Sequence, residues 1–265
     1  MNVFTKTTAM PHFGVAHLLP VLLLILIVVS FQFLKSSAVS SINQKRLGHV
    51  LAWILCVNFP FFVLLQVLDG SISWATALPL YPCPLASLLA PILMRTENKT
   101  LFNVMFYWVF SGTLQAVMTP EIKYTFPHYE YFYFWICHAG LLVFLSYTLV
   151  IQDAEPKAKG VVTAFAWFNV FIAISALVNM FTGSNYYYLK SKPAVPTLID
   201  HLGPWPWYIL GVEAVAFLQF GLSFAIFWFV KKRLLGAKNK SNIRVSAYVV
   251  RAEIISKTFK KPHQA

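Results

Sequence analysis

Seven apolar stretches, each about twenty residues long, run along the chain at about 15–34, 47–68, 74–94, 101–119, 129–151, 160–182 and 205–230. An α-helix rises 1.5 Å per residue, so about twenty residues cross a hydrocarbon layer of about 30 Å. No soluble core needs so many such lengths. Only 11% of the 265 residues are charged and 58% are hydrophobic, whereas a soluble domain usually carries about 25% charge. The reading is all-α: a polytopic bundle of about seven transmembrane helices over 1–230, followed by a basic cytoplasmic tail over 231–265. The first stretch has no small-residue cleavage site after it and reads as a retained helix.

Basic residues orient the bundle. With the N-terminus outside and the C-terminus inside, 17 Lys and Arg fall on the inner side and 4 on the outer, the asymmetry that membrane insertion favours. The net charge of +12 is thereby a matter of topology, and no nucleic-acid motif accompanies it. A multi-pass protein of the cell membrane, of the bacterial plasma-membrane kind, is expected. In the tail, Ile243, Ala247, Val250 and Ile254 recur at helical spacing beside Arg244 and Arg251, a pattern that suits a surface helix on anionic inner-leaflet lipid.

Aromatic residues gather at "FPHYEYFYFW", "NYYYL" and "GPWPWY", all on the expected outer side. Tyr and Trp favour the headgroup zone, and these segments read as a lid over the outer interface or as a plain aromatic belt. No internal repeat is visible, which counts against an inverted-repeat transporter.

The third stretch contains "LPLYPCPLAS", residues 78–87. Pro79 and Pro82 lack N–H donors and disfavour helix in the residue before them, while Pro84 suits a first helical turn. An irregular segment from about Trp74 to Cys83, then a helix from Pro84 to Met94, is expected. The span thus breaks at Pro82–Cys83–Pro84 and sets Cys83 at a helix N-terminus within the bilayer. Irregular backbone at that depth is tolerated only in protein or along a cavity. A neutral thiol that needs a base is expected there.

Ionisable groups inside a span are costly and are functional candidates by default; here they are His138, Glu213 and, less deeply, His49. Asn58, Gln115, Asn169 and Asn179 are more often glue between helices. Spans three, five and seven run in the same direction, and Cys83, His138 and Glu213 each lie eight or nine residues past the outer end of their span. All three approach one level, about 12–14 Å deep. Cysteine, histidine and carboxylate at one level are the parts of a nucleophilic acyl-transfer site: nucleophile, base and orienter. Each also has a structural reading as filler, packing group or dipole complement. A metal site from Cys83, Cys137 and His138 is disfavoured because adjacent residues point about 100° apart on a helix. No metal and no soluble cofactor is expected. Three cysteines in apolar runs do not form a disulfide framework.

Several stretches resemble the YwaF-type family of bacterial integral membrane proteins. The longest is "GSNYYYLKSKPAVPTLIDHLGPWPWYILGVE", residues 183–213, joined by "LPLYPCPLASLLAPI" and "GTLQAVMTPEI…FPHYEYFYFWICHAG". That family is similar to the eukaryotic transmembrane protein 164 group, described as acyltransferases that move fatty acyl chains between phospholipids through a cysteine and a histidine. The resemblance implies catalytic roles for Cys83 and His138; Glu213 is the candidate orienter from its matching position along span seven. Asn185, Tyr186, Lys192, Trp205, Trp207, His128 and Gln115 are the candidate substrate-binding residues. Where family members carry His two residues before the cysteine and an acid or amide after it, this chain has Tyr81 and Pro84. The function expected is a lipid acyltransferase or acyl hydrolase with phospholipid as partner; the alternative is a non-catalytic transporter or lipid-binding protein with a midplane site.

Overall fold

The computed structural model describes residues 10–37, 40–193 and 198–259, with no side chains for 198 and 234–259. Among the described residues there are only helices, turns and coil, and seven helical segments are long and apolar enough to cross a membrane. They are α1 (Val15–Ser36), α2 (Ser41–Leu68), α3 with α4 (Trp74–Ala77 and Pro82–Thr96), α5 with α6 (Lys99–Trp108 and Leu114–Met118), α7 (Tyr129–Val150), α8 (Ala158–Thr182) and the first part of α9 (Trp207–Phe259). The chain divides after Ser223 into two compact units. In the second, the backbone is helical through Phe259. The amphipathic surface face expected at 243–254 lies outside the described side chains.

The helices start about where the apolar runs begin, with one exception. The second begins at Ser41 because Ser40 caps it, its hydroxyl accepting the Asn43 N–H at 3.4 Å. An N-cap oxygen satisfies an otherwise orphan donor, and the helix extends through polar residues that hydropathy alone leaves out.

Apolar surface gives helices no reason to associate inside lipid, so close approach and interhelical hydrogen bonds must do so. At Gly48 on α2 an added Cβ would lie 2.5 Å from the Tyr147 ring of α7. At Gly160 on α8 it would lie 2.2 Å from Asn103 Oδ1 of α5. Around these contacts, aromatic polar tips reach backbone carbonyls of other segments. Tyr147 donates to Gln44 O at 2.8 Å, Tyr107 to Lys157 O at 2.7 Å, Trp108 to Ala164 O at 3.1 Å and Tyr131 to Ala16 O at 2.8 Å. Asn58 donates to Tyr133 O at 3.1 Å, joining α2 to α7. His49, by contrast, is exposed on α2.

Two departures from regular helix position the site. The third span is interrupted at 78–81, and α4 begins at Pro82. The irregular part is shorter than expected from the sequence, which placed Trp74–Ala77 in it and started the helix at Pro84. The first helical positions need no N–H, so prolines at N1 and N3 are both tolerated. The fourth span carries a π-helical turn, Val109–Thr113, closed by Leu114 N–H on Val109 O. Such single turns insert an extra residue and re-aim the side chains beside it.

Candidate functional site

A cavity of about 590 Å³ opens beside the broken third span. Both Cys83 and His138 line it. Three surfaces close around them. The fourth span gives Trp108, Ser111, Gly112 and Gln115, and α9 gives Val212, Val215, Ala216 and Gln219. Both sets follow the i, i+3, i+4, i+7 spacing of one helix face. The third wall comes from the loop after α8, through Tyr187 and Tyr188.

Cys83 is the second residue of α4, in its first turn. Its Sγ lies 3.1 Å from Thr113 Oγ1, a fully buried hydroxyl delivered by the π turn. His138 is held from its own helix: Nδ1 lies 2.9 Å from Phe134 O, with the two rings stacked 4.2 Å apart. A carbonyl can only accept, so Nδ1 carries the proton and Nε2 is the ring's acceptor. Nε2 makes no hydrogen bond among the described residues, and none joins Cys83 to His138.

Glu213 makes no hydrogen bond to His138 among the described residues. It stands one step of about 100° around α9 from Val212, off the cavity face. The Phe134 carbonyl orients the imidazole in its place. Cys137 turns away from its neighbour and pairs with Ser87 Oγ at 3.6 Å. Among the described residues no three His, Cys, Asp or Glu side chains converge to hold a metal.

Of the candidate substrate-binding residues, only Gln115 lines the cavity, and its Oε1 accepts from Gln219 at 3.4 Å. Asn185 is consumed by its own loop, donating to Ser191 O at 2.8 Å and accepting from Lys190 N–H at 2.9 Å. Tyr186 is buried, and its hydroxyl donates to Trp74 O and lies 3.5 Å from Leu78 O. It holds the loop against the break in the third span. Burial pushes its phenol up.

Lys192 lies 5.5 Å from the Tyr208 ring and donates to Asp200 O at 3.4 Å. Trp205 donates to Leu189 O at 2.9 Å, and both it and Trp207 are more than half exposed. His128 caps α7, accepting from Glu130 N–H at 3.2 Å between the rings of Tyr124 and Tyr129. These residues build the end of the bundle that carries the cavity; they do not face into it.

Sequence reasoning missed Thr113, Tyr81 and Tyr187. "SGT" inside an apolar run and "YYY" after a helix-ending glycine were the available signals. Burial, then the Glu121 carboxylate, push the neighbouring Tyr188 phenol up. A second, apolar groove of about 470 Å³ between α4, α5 and α8 shares the Trp108 side chain with the cavity.

The model of the TMEM164 family matches residues 12–224, most of the chain and all of the cavity. No curated protein and no solved structure matches.

Proposed function

This chain belongs to the TMEM164 family, and from that premise we propose that it is a membrane acyltransferase or acyl hydrolase acting on phospholipid esters through Cys83 and His138. One observation carries the reading: the thiol and the imidazole line the same cavity within the bundle, with the imidazole tautomer fixed so that Nε2 is open. Nε2 takes the thiol proton, and the sulfur attacks the acyl ester carbon to give a thioester. A second lipid hydroxyl or water then resolves it. The sulfur leaves Thr113 for Nε2, or engages both, once lipid fills the cavity; catalytic hydrogen bonds commonly tighten only in the working complex. The apolar groove behind Trp108 is a place for an acyl chain next to the reacting carbon.

The test is acyl exchange by purified protein in vesicles, with a labelled phospholipid donor and a lysolipid acceptor. The expected result is a hydroxylamine-labile acyl adduct on Cys83 and no exchange by Cys83→Ala. Exchange by Cys83→Ala at the wild-type rate rules the mechanism out.

A further inference from the structure

Tyr187 combines two unfavourable features that packing alone does not account for. Its hydroxyl is buried with no hydrogen-bond partner, and a buried polar group in that state asks for a reason. Its backbone sits at φ 58°, ψ 15°, the left-handed region that bulky side chains avoid. Such conformations persist only when the surroundings impose them, and they cluster at functional sites.

The surroundings do impose it. Asn179 clamps the preceding residue from both sides, accepting Tyr186 N–H at 2.8 Å and donating to Tyr186 O at 3.0 Å. The Tyr186 hydroxyl is tied to Trp74 O. The Tyr187 ring is wedged edge-on against Phe168 and Phe171, with centroids 5.6 Å and 6.2 Å away, and packs on Tyr81 at 5.7 Å. The result is a Tyr187 that lines the cavity holding Cys83 and His138, its hydroxyl packed in the wall without a partner. Burial first, then Cys83 and Tyr81, push its ionisation well above the ordinary phenol range, so it stays a hydrogen-bond donor.

A second donor lies at the sulfur itself. Pro82 and Pro84 have no N–H, and the Leu85 N–H is taken by Tyr81 O at 3.2 Å. Cys83 therefore carries the one amide donor among the first three residues of α4, at the positive end of the helix dipole.

We infer that the Tyr187 hydroxyl and the Cys83 N–H together form the oxyanion hole, holding the carbonyl oxygen of the acyl group while its carbon is bonded to the sulfur. The inference rests on the acyl-transfer reading and adds the group that stabilises its charged intermediate. Cys83, its proton given to His138 Nε2, attacks the ester carbon. The C–S bond forms, and the carbonyl electron pair moves onto the oxygen, where the two donors hold it. Collapse breaks the C–O bond, and the departing lysolipid oxygen takes the proton from His138. In the second half an acceptor hydroxyl gives its proton to His138, its oxygen attacks the thioester, and the C–S bond breaks to restore the thiol.

The deciding variant is Tyr187→Phe, which keeps the ring wedge and removes the donor. Two rates are read in phosphatidylcholine vesicles with the full chain: single-turnover acylation of Cys83, and its alkylation by a membrane-permeant maleimide, which needs no oxyanion donor for a carboxyl ester. Acylation is expected to fall about 10²–10³-fold, with half-saturating lipid and maleimide alkylation unchanged. Wild-type acylation, or an equal fall in both rates, overturns the inference. Should the variant not fold, 3-fluorotyrosine at 187 gives the same answer: acylation shifts with phenol acidity and alkylation does not, and acylation insensitive to the fluorine overturns it. Cys83→Ala separates the levels. If it is inactive while Tyr187→Phe acylates normally, only the oxyanion assignment falls; if it is active, the acyl-transfer reading falls and takes the assignment with it.

Discussion

The Cys83 sulfur lies 3.1 Å from the Thr113 hydroxyl, and each arrives there by an interruption of its own helix. Cys83 is brought by the break before α4 and Thr113 by the π turn of the fourth span. A buried hydroxyl against a sulfur can donate to the thiolate when it forms, and a hydrogen bond to a charged group is worth about 1.5–3 kcal/mol. Thr113→Val keeps the shape and removes the donor. Acyl transfer is expected to fall about tenfold or more, as that energy implies, with the maleimide reaction of Cys83 slowed in parallel. An unchanged alkylation rate would mean that the hydroxyl only packs against the sulfur.

His138 is the second test, because its tautomer is set by Phe134 O and not by a side chain. His138→Gln retains polar packing and removes the proton acceptor. Removing a general base costs about 10²–10⁴-fold in rate, and acyl-adduct formation is expected to fall in that range while thermal unfolding in detergent stays unchanged. Glu213→Gln, off the cavity lining, is expected to leave adduct formation near wild type. A large loss there would restore Glu213 to the site.

What the sequence could and could not convey follows from these same residues. The spans were legible because lipid demands length and apolarity, and both are written in composition. The break was legible because prolines forbid specific hydrogen bonds. The company of Cys83 and His138 was legible too: counting residues paired them, and they line one cavity. The rotation of a helix about its axis was not. A helix apolar on every side carries no stripe to say which face turns inward, so counting residues could not tell that Glu213 lies off the cavity face. The π turn at Val109–Thr113 left no local signature, and with it Thr113 stayed hidden. Tyr187 was hidden among the aromatics of a belt, since nothing in "NYYYL" distinguishes the phenol left without a partner from its neighbours.

Gly112 tests whether the cavity admits lipid. It lines the space beside Cys83, and a Cβ added there meets nothing within 4 Å. Gly112→Leu puts a side chain into that opening, and replacing a helical glycine also removes a cost of up to about 1 kcal/mol. Thermal stability is expected to hold or rise, while turnover of long-chain phospholipid falls by at least about tenfold, a penalty of about 1.4 kcal/mol. Undiminished turnover would show that substrate does not pass that wall.

Tyr186 tests the joint between the loop and the broken span. Its buried hydroxyl is bonded to Trp74 O, with Leu78 O at 3.5 Å. Tyr186→Phe leaves carbonyls of an already irregular backbone without their donor. The expected loss is about 1–3 kcal/mol of stability, read as a lower unfolding temperature in detergent, together with faster proteolysis within residues 183–193. A variant as stable as wild type would show that the ring packing alone holds the loop.

Asp69 supplies a pH-dependent strut between α2 and α7. Its Oδ2 accepts from the Tyr129 hydroxyl at 2.7 Å, and its Oδ1 from the Ser71 N–H at 2.9 Å. Burial alone raises its carboxyl, but the hydrogen bonds from Ser71 and Tyr129 and the nearby His128 outweigh it and hold the group below its ordinary value of 3.8. A carboxyl depressed in the folded state stabilises the protein above its unfolded value, and that contribution is lost as pH falls through the folded value. The strut is therefore complete at neutral pH and weakens on acidification below 3.8. Asp69→Asn cannot ionise and lacks this dependence. Between about pH 5 and about pH 3 the unfolding temperature of the wild type is expected to drop further than that of the variant. Because Asp69 is largely exposed, solvent screening keeps the difference small, and parallel acid slopes for the two proteins would show that the strut bears no part of the stability.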